Sequence, residues 1–240
     1  MIPLPPIPTY VAVVFAAFCL LVAAVVVAGV KRIAGAATAR RTAIGLVLWL
    51  GVTGALGASG VLARYGAPPR FLVVVVPALL FPLWLALTPA ADRLLRLTPP
   101  GWLVGAQCFR VGVELLLWLL AAHGALASAM TFHGRNFDVL SGLTAPLAAW
   151  LAFGRGRWRP RLAVVWNGLA LALLLNVVTV GLLSAPTPFR RIVTDPPNTV
   201  IVRYPTVWLV ALLVPLAFSL HALSLRQLLR GLAPRPGTGA

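Results

Sequence analysis

Acidic side chains are nearly missing from this chain: four Asp and Glu stand against 20 Lys and Arg. All charged residues together make up 10% of it, against roughly 25% in a soluble domain. So few charges cannot cover a water-facing surface, which excludes an ordinary soluble protein. Lysine is scarcer still. Lys31 is the only one and lies outside the apolar runs, which excludes the last-span Schiff base that a retinal protein needs. The two cysteines, Cys19 and Cys108, both fall within apolar runs. Two small hydrophobes are expected there, with no disulfide or metal site. No Walker, zinc-ligand or dinucleotide-binding spacing occurs, so no cofactor is expected.

What the chain has instead is apolar length. Hydrophobic residues are 60% of it, and runs near or above ~18 residues recur, the length that crosses a hydrocarbon core. The short alternating segments of a β-barrel are absent. The expected fold class is all-α: a polytopic membrane bundle in one domain over 1–230, with a disordered tail at 231–240. Seven spans are expected, at about 10–30, 42–63, 71–90, 101–125, 137–153, 161–184 and 206–229. The first has no basic stretch before it and no cleavage site after it, so it reads as a retained span. The second carries Gly45, Gly51, Gly54, Gly57 and Gly60, small residues that let helices approach closely. The third holds Pro77, Pro82 and Pro89, which predict kinks.

Basic residues orient these spans. With the N-terminus outside, 13 of the 20 basic residues face the cytoplasm, including Lys31, Arg32, Arg40, Arg41 and the run Arg155 to Arg161. Six face outward and Arg110 lies within a span. The imbalance predicts N-outside and C-inside. The same clusters are expected to meet anionic lipid headgroups, and nucleic acid is not expected. Between the last two spans, Ile192-Val193-Thr194 and Thr199-Val200-Ile201-Val202 flank Asp195-Pro196-Pro197-Asn198. That pattern predicts a small outer β-hairpin, with Arg190, Arg191 and Arg203 as a lid.

Charge inside an apolar span is costly and faces the bundle interior. Arg110 and Glu114 are four residues apart, on one helical face. At ~1.5 Å per residue, Glu114 and Asn176 lie ~20 Å from the cytoplasmic ends of their spans, in one layer with Thr144. Gln107, Asn167 and His221 form a second layer within ~10 Å of the cytoplasmic face. The expected ligand site is therefore bounded by Arg110, Glu114, Thr144 and Asn176. His133, Arg135, Asn136 and Asp138 form one wall of the pocket above it, Gly134 making the turn and Arg135 pairing with Asp138. Gly57-Ala58-Ser59-Gly60 matches the GxSG pattern of rhomboid intramembrane proteases. That resemblance implies Ser59 as a nucleophile, with His123 at a matching depth, but the other rhomboid features are missing.

The run Met130 to Asp138, continuing through Leu140 to Pro146, and the run Leu183 to Phe189 resemble a group of uncharacterised bacterial multi-pass membrane proteins. The resemblance covers about 109–228 and implies a bacterial inner (plasma) membrane but no activity. Three functions follow as expectations. The first is a non-enzymatic protein that binds or passes a small polar or anionic solute from the outer face. The second is an accessory subunit with a membrane protein partner. The third is an intramembrane hydrolase acting on a lipid or peptide, using Ser59 with His123, or His133 with Asp138. The non-enzymatic role is favoured.

Overall fold

A computed structural model describes residues 5–232; the expected disordered tail, including Arg235, lies almost wholly outside them. Among the described residues there are seven helices: α1 Thr9–Ala58, α2 Leu72–Leu87, α3 Pro89–Leu97, α4 Pro100–Ala122, α5 Val139–Phe153, α6 Pro160–Ser184 and α7 Leu209–Leu229. Four of them, α1, α4, α6 and α7, are long and apolar enough to cross a membrane. The bent pair of α2 and α3 makes a fifth candidate.

This corrects the expectation of seven separate spans. The first two expected spans are one 50-residue element broken at Gly35 (φ 81°, ψ 172°). That break folds α1 back on itself. The Pro5 carbonyl accepts from the Arg203 guanidinium, while Gly57 lies against the backbone of Arg203 and Tyr204. Both ends therefore meet one point, which a straight helix ~75 Å long would forbid. The third expected span stops at Leu87, and α3 leaves at 73°. Thr88, the residue before Pro89, is extended (ψ 145°), as a pre-proline residue prefers. The fifth, α5, has only 15 residues, less than a full crossing at ~1.5 Å each.

The predicted hairpin is absent; no strand occurs among the described residues. Pro196, Pro197 and Pro205 remove donors that a ladder needs. Arg190 donates to the Ile192 and Thr194 carbonyls, which a second strand would otherwise serve. Val200–Val202 instead forms a buried 3-10 turn. Nor do the arginines form a lid: Arg203 is held by Pro5, and Arg191 is exposed.

Packing around α7 shows why the bundle closes where it does. α7 begins with a π turn at Leu209–Leu213, followed by Pro215. Proline has no N–H, so the Ala211 carbonyl one turn earlier loses its helical donor. The Trp49 indole supplies one at 2.8 Å, and Trp208 returns a bond of 3.0 Å to the Leu50 carbonyl. The second arm of α1 is thus fastened to the irregular start of α7. Only part of the glycine stripe serves this contact. Gly54 and Gly57 touch Trp208, Tyr204 and Val207, whereas Gly45, Gly51 and Gly60 face open space.

A second close approach positions the interior. A Cβ on Gly142 of α5 would stand 2.8 Å from the Val111 backbone nitrogen and 3.3 Å from the Arg110 carbonyl carbon. Backbone meets backbone beside Arg110, and neither can yield. We expect Gly142→Ala to lower stability by about 1–3 kcal/mol through overpacking. Gly45→Ala should leave stability unchanged or raise it slightly. Thermal unfolding of the purified protein in detergent would compare the two.

Candidate functional site

Arg110 is the largest fully buried side chain, 1% exposed. Burying a guanidinium without partners is prohibitive, and the fold supplies one to each of its nitrogens. Nε donates to Asp138 Oδ2 at 2.7 Å and Nη2 to Asp138 Oδ1, a two-point pair. Nη2 also reaches the Ala170 carbonyl at 3.4 Å. Nη1 lies 3.0 Å from His221 Nε2. An arginine has no acceptor, so it donates and Nε2 is bare. Neutral His221 then carries its proton on Nδ1 and donates to Asn167 Oδ1 at 2.8 Å. Asn167 Nδ2 donates in turn to the Ala163 carbonyl (2.8 Å) and Ser224 Oγ (3.1 Å). One continuous network thus ties α4, the residue before α5, α6 and α7.

Glu114, one turn along α4 and 2% exposed, is not paired with Arg110. Both its oxygens receive Asn136 Nδ2, at 2.7 and 2.8 Å. That nitrogen also lies 3.2 Å from the Met130 carbonyl. Two amide hydrogens therefore face three acceptor oxygens, and Glu114 is short of donors. Asn136 Oδ1 accepts from the Asp138 backbone N–H at 3.0 Å. This Asx turn aims the Asp138 carboxylate inward to Arg110.

The segment 131–138 therefore descends into the bundle. Gly134 is what allows the descent: its Cβ would lie 2.4 Å from the Ala129 Cα. Asn136 and Asp138 are buried, at 1% and 5% exposure. The expected pair of Arg135 with Asp138 is not made.

Of the eight residues expected to bind a ligand, the fold brings together Arg110, Glu114, Asn136 and Asp138. The other four stand apart. His133 and Arg135 are exposed. Asn176 is exposed and donates to the Arg135 carbonyl at 2.8 Å. Thr144 is exposed, bound to the Leu140 carbonyl and to the Trp166 indole. His221, Asn167 and Ser224 join the network although depth counting placed the first two in a separate layer. Counting from Cα positions ignores the long arginine side chain, which crosses between layers. A buried histidine and asparagine inside apolar spans were the available signal.

A cavity of about 80 Å³ lies against this network. It runs along α4 from Arg110 past Glu114 to Leu117 and is closed by α2, α6, the start of α7 and the turn at Asn198 to Ile201. Its walls are Val, Leu, Ile, Phe and Met; Arg110, Glu114, Asp138 and Asn198 are its polar lining. Asn198 Oδ1 is buried without a donor. The cavity holds roughly five to eight water-sized groups at ~10–15 Å³ each.

Ser59 and His123 are not brought together. Ser59 Oγ donates to the Leu56 carbonyl, and His123 uses one ring nitrogen on Tyr10 Oη and the other on the Leu119 carbonyl. Of the cysteines, Cys19 is buried and Cys108 exposed; both are free. Comparison with protein-family models, with curated proteins and with solved structures finds no match.

Arg110→Met would strand the Asp138 carboxylate in the interior and should cost roughly 3–5 kcal/mol. Arg110→Met with Asp138→Leu removes both charges and should recover most of that loss. Chemical denaturation of the single and double variants would measure the recovery; full additivity would mean that the two residues act independently.

Proposed function

We propose that the chain is a multi-pass protein of a bacterial inner membrane that binds or passes a small solute through the cavity beside Glu114. Support for membrane residence is the set of helices long and apolar enough to cross a bilayer. Support for binding is the cavity itself, an apolar pocket with a few convergent polar groups.

The observation that carries the ligand's chemistry is the balance of donors and acceptors. Arg110 has a partner on each nitrogen, and Asp138 holds it at two points. The polar capacity left over in the lining is on acceptors: the donor-poor Glu114 carboxyl and Asn198 Oδ1. The floor also holds two carboxyl groups against one guanidinium. An anionic solute would need Arg110 free, and Asp138 already occupies it. The ligand that fits has a short apolar body and one end that donates hydrogen bonds, a primary ammonium being the best match. A second reading, an accessory subunit, draws on the same network as a packing device, since buried polar groups also serve specificity of assembly.

Butylamine, butanol and butyrate present one body with three different ends. The amine should stabilise the purified protein against heat, by about 2.7 kcal/mol at a hundredfold excess over Kd. Glu114→Gln should abolish that shift. Stabilisation by butyrate instead would reverse the assignment, and no shift with any of the three would favour the accessory reading.

A further inference from the structure

A second site lies at the opposite pole of the molecule, where α4 begins, α5 ends and α6 begins. A groove of about 300 Å³ is lined by Pro99, Trp102, Phe153, Arg157 and Trp158, among others. Three observations mark it as unfinished. Arg157 Nη1 is buried with no acceptor among the described residues, although a buried guanidinium nitrogen ordinarily has one. Arg155 and Arg157 are gathered over one indole, their Cζ atoms 5.6 and 4.6 Å from the Trp150 ring centroid. Two like charges on one ring repel unless something compensates them. Finally, Arg155 sits in the left-handed region (φ 54°, ψ 43°), the only non-glycine residue with positive φ among the described residues. Backbone strain of this kind persists where the surroundings enforce it, and it clusters at binding sites.

Among the described residues no carboxylate is offered here. Asp92 is bound to Arg226 at 2.7 Å, with Arg230 at 4.0 Å. Glu114 and Asp138 are in the interior network. Asp195 lies beyond the far end of α6, ~37 Å of helix away. The described residues therefore leave an acceptor to be supplied from beyond them.

The surroundings say from where. Trp102 is 49% and Trp150 43% exposed, beside the ends of strongly apolar helices. Indoles in that position belong to a water–lipid boundary. Gly154 completes the shape: a Cβ there would meet Trp150 Cδ1 at 2.6 Å, so the chain turns tightly under the ring. We propose that this groove binds the phosphate of an anionic phospholipid. Arg157 Nη1 and the Arg155 guanidinium hold the phosphate, and one acyl chain lies along Trp102 and Phe153. The proposal depends on the membrane reading above, but not on the cavity ligand or on which side of the membrane this pole faces.

Native mass spectrometry of the detergent-purified protein, titrated with phosphatidylglycerol and with phosphatidylcholine, tests it. Phosphatidylglycerol should bind the more tightly, and R155Q/R157Q should weaken it about tenfold. R40Q/R41Q removes the same charge elsewhere and should change it little. Equal losses in the two variants, or none, would overturn the site in favour of diffuse attraction. Inorganic phosphate binding with the same dependence on Arg155 and Arg157, in the absence of lipid preference, would overturn the lipid assignment. Failure of either lipid to bind any variant would instead count against membrane residence itself.

Discussion

One buried guanidinium sets the terms for this bundle. Arg110 must be satisfied on all its nitrogens, because an unpaired charge in a low-dielectric interior costs several kcal/mol. No single helix can supply partners in three directions. Asp138 comes from the entry to α5, His221 from α7 and the Ala170 carbonyl from α6. Those three elements are therefore fixed relative to α4 by a directional constraint that apolar packing alone lacks. The constraint propagates further: Asn167 orients His221, Asn136 orients Asp138, and Gly142 lets α5 come close enough for that carboxylate to arrive.

The cavity is a consequence of the same arrangement. Arg110 and Glu114 point from α4 toward the centre, and the helices opposite them are the irregular ones. α7 starts with a wide π turn and a proline, and Leu209, Val210, Leu213 and Val214 of that start line the void. π turns in helices often accompany functional sites because they displace side chains from regular packing. Here the displaced carbonyl is paid back by Trp49, so the irregularity is supported from outside the cavity and its interior stays unfilled.

How much of this was legible in the sequence depends on range. Helix existence followed from apolar runs, and Arg110, Glu114, Asn136 and Asp138 stood out as polar residues in or beside such runs. Their partners did not follow. The i, i+4 spacing put Arg110 and Glu114 on one helical face, a local argument, whereas the carboxylate that pairs with Arg110 is 28 residues away. The β-branched runs around Asp195 suggested strands, yet prolines and the Arg190 side chain took the hydrogen bonds a ladder would use. The break at Gly35 lies inside one element where two separate spans were expected, and the break at Thr88 ends the third expected span early. The Arg110 partner was set by a tertiary contact, whereas the hairpin and the spans were lost to local competitors, prolines, the Arg190 side chain and Gly35, that outweighed a periodic pattern.

Scarcity of acid makes the remaining electrostatics readable. With four carboxylates in the chain, each one's partner can be named. Asp138 serves Arg110, and Asp92 at the first turn of α3 serves Arg226, while Gln227 beside it donates to the Leu95 and Thr98 carbonyls. Asp195 is exposed. Glu114 alone is buried with fewer donors than it can accept, and it lines the cavity beside the already paired Asp138. The reverse holds for the guanidiniums at the opposite pole, where a buried donor of Arg157 has no acceptor. A chain with 20 basic residues cannot pair them internally, so exposed arginines alone mark nothing. Burial removes the water that satisfies the rest; Arg226 Nε and Nη1 are buried and unpaired as well, but that side chain has Asp92 at 2.7 Å, which Arg157 lacks. The Glu114 and Arg157 sites differ in sign and in position: an acceptor deep in the bundle and a donor at its basic end.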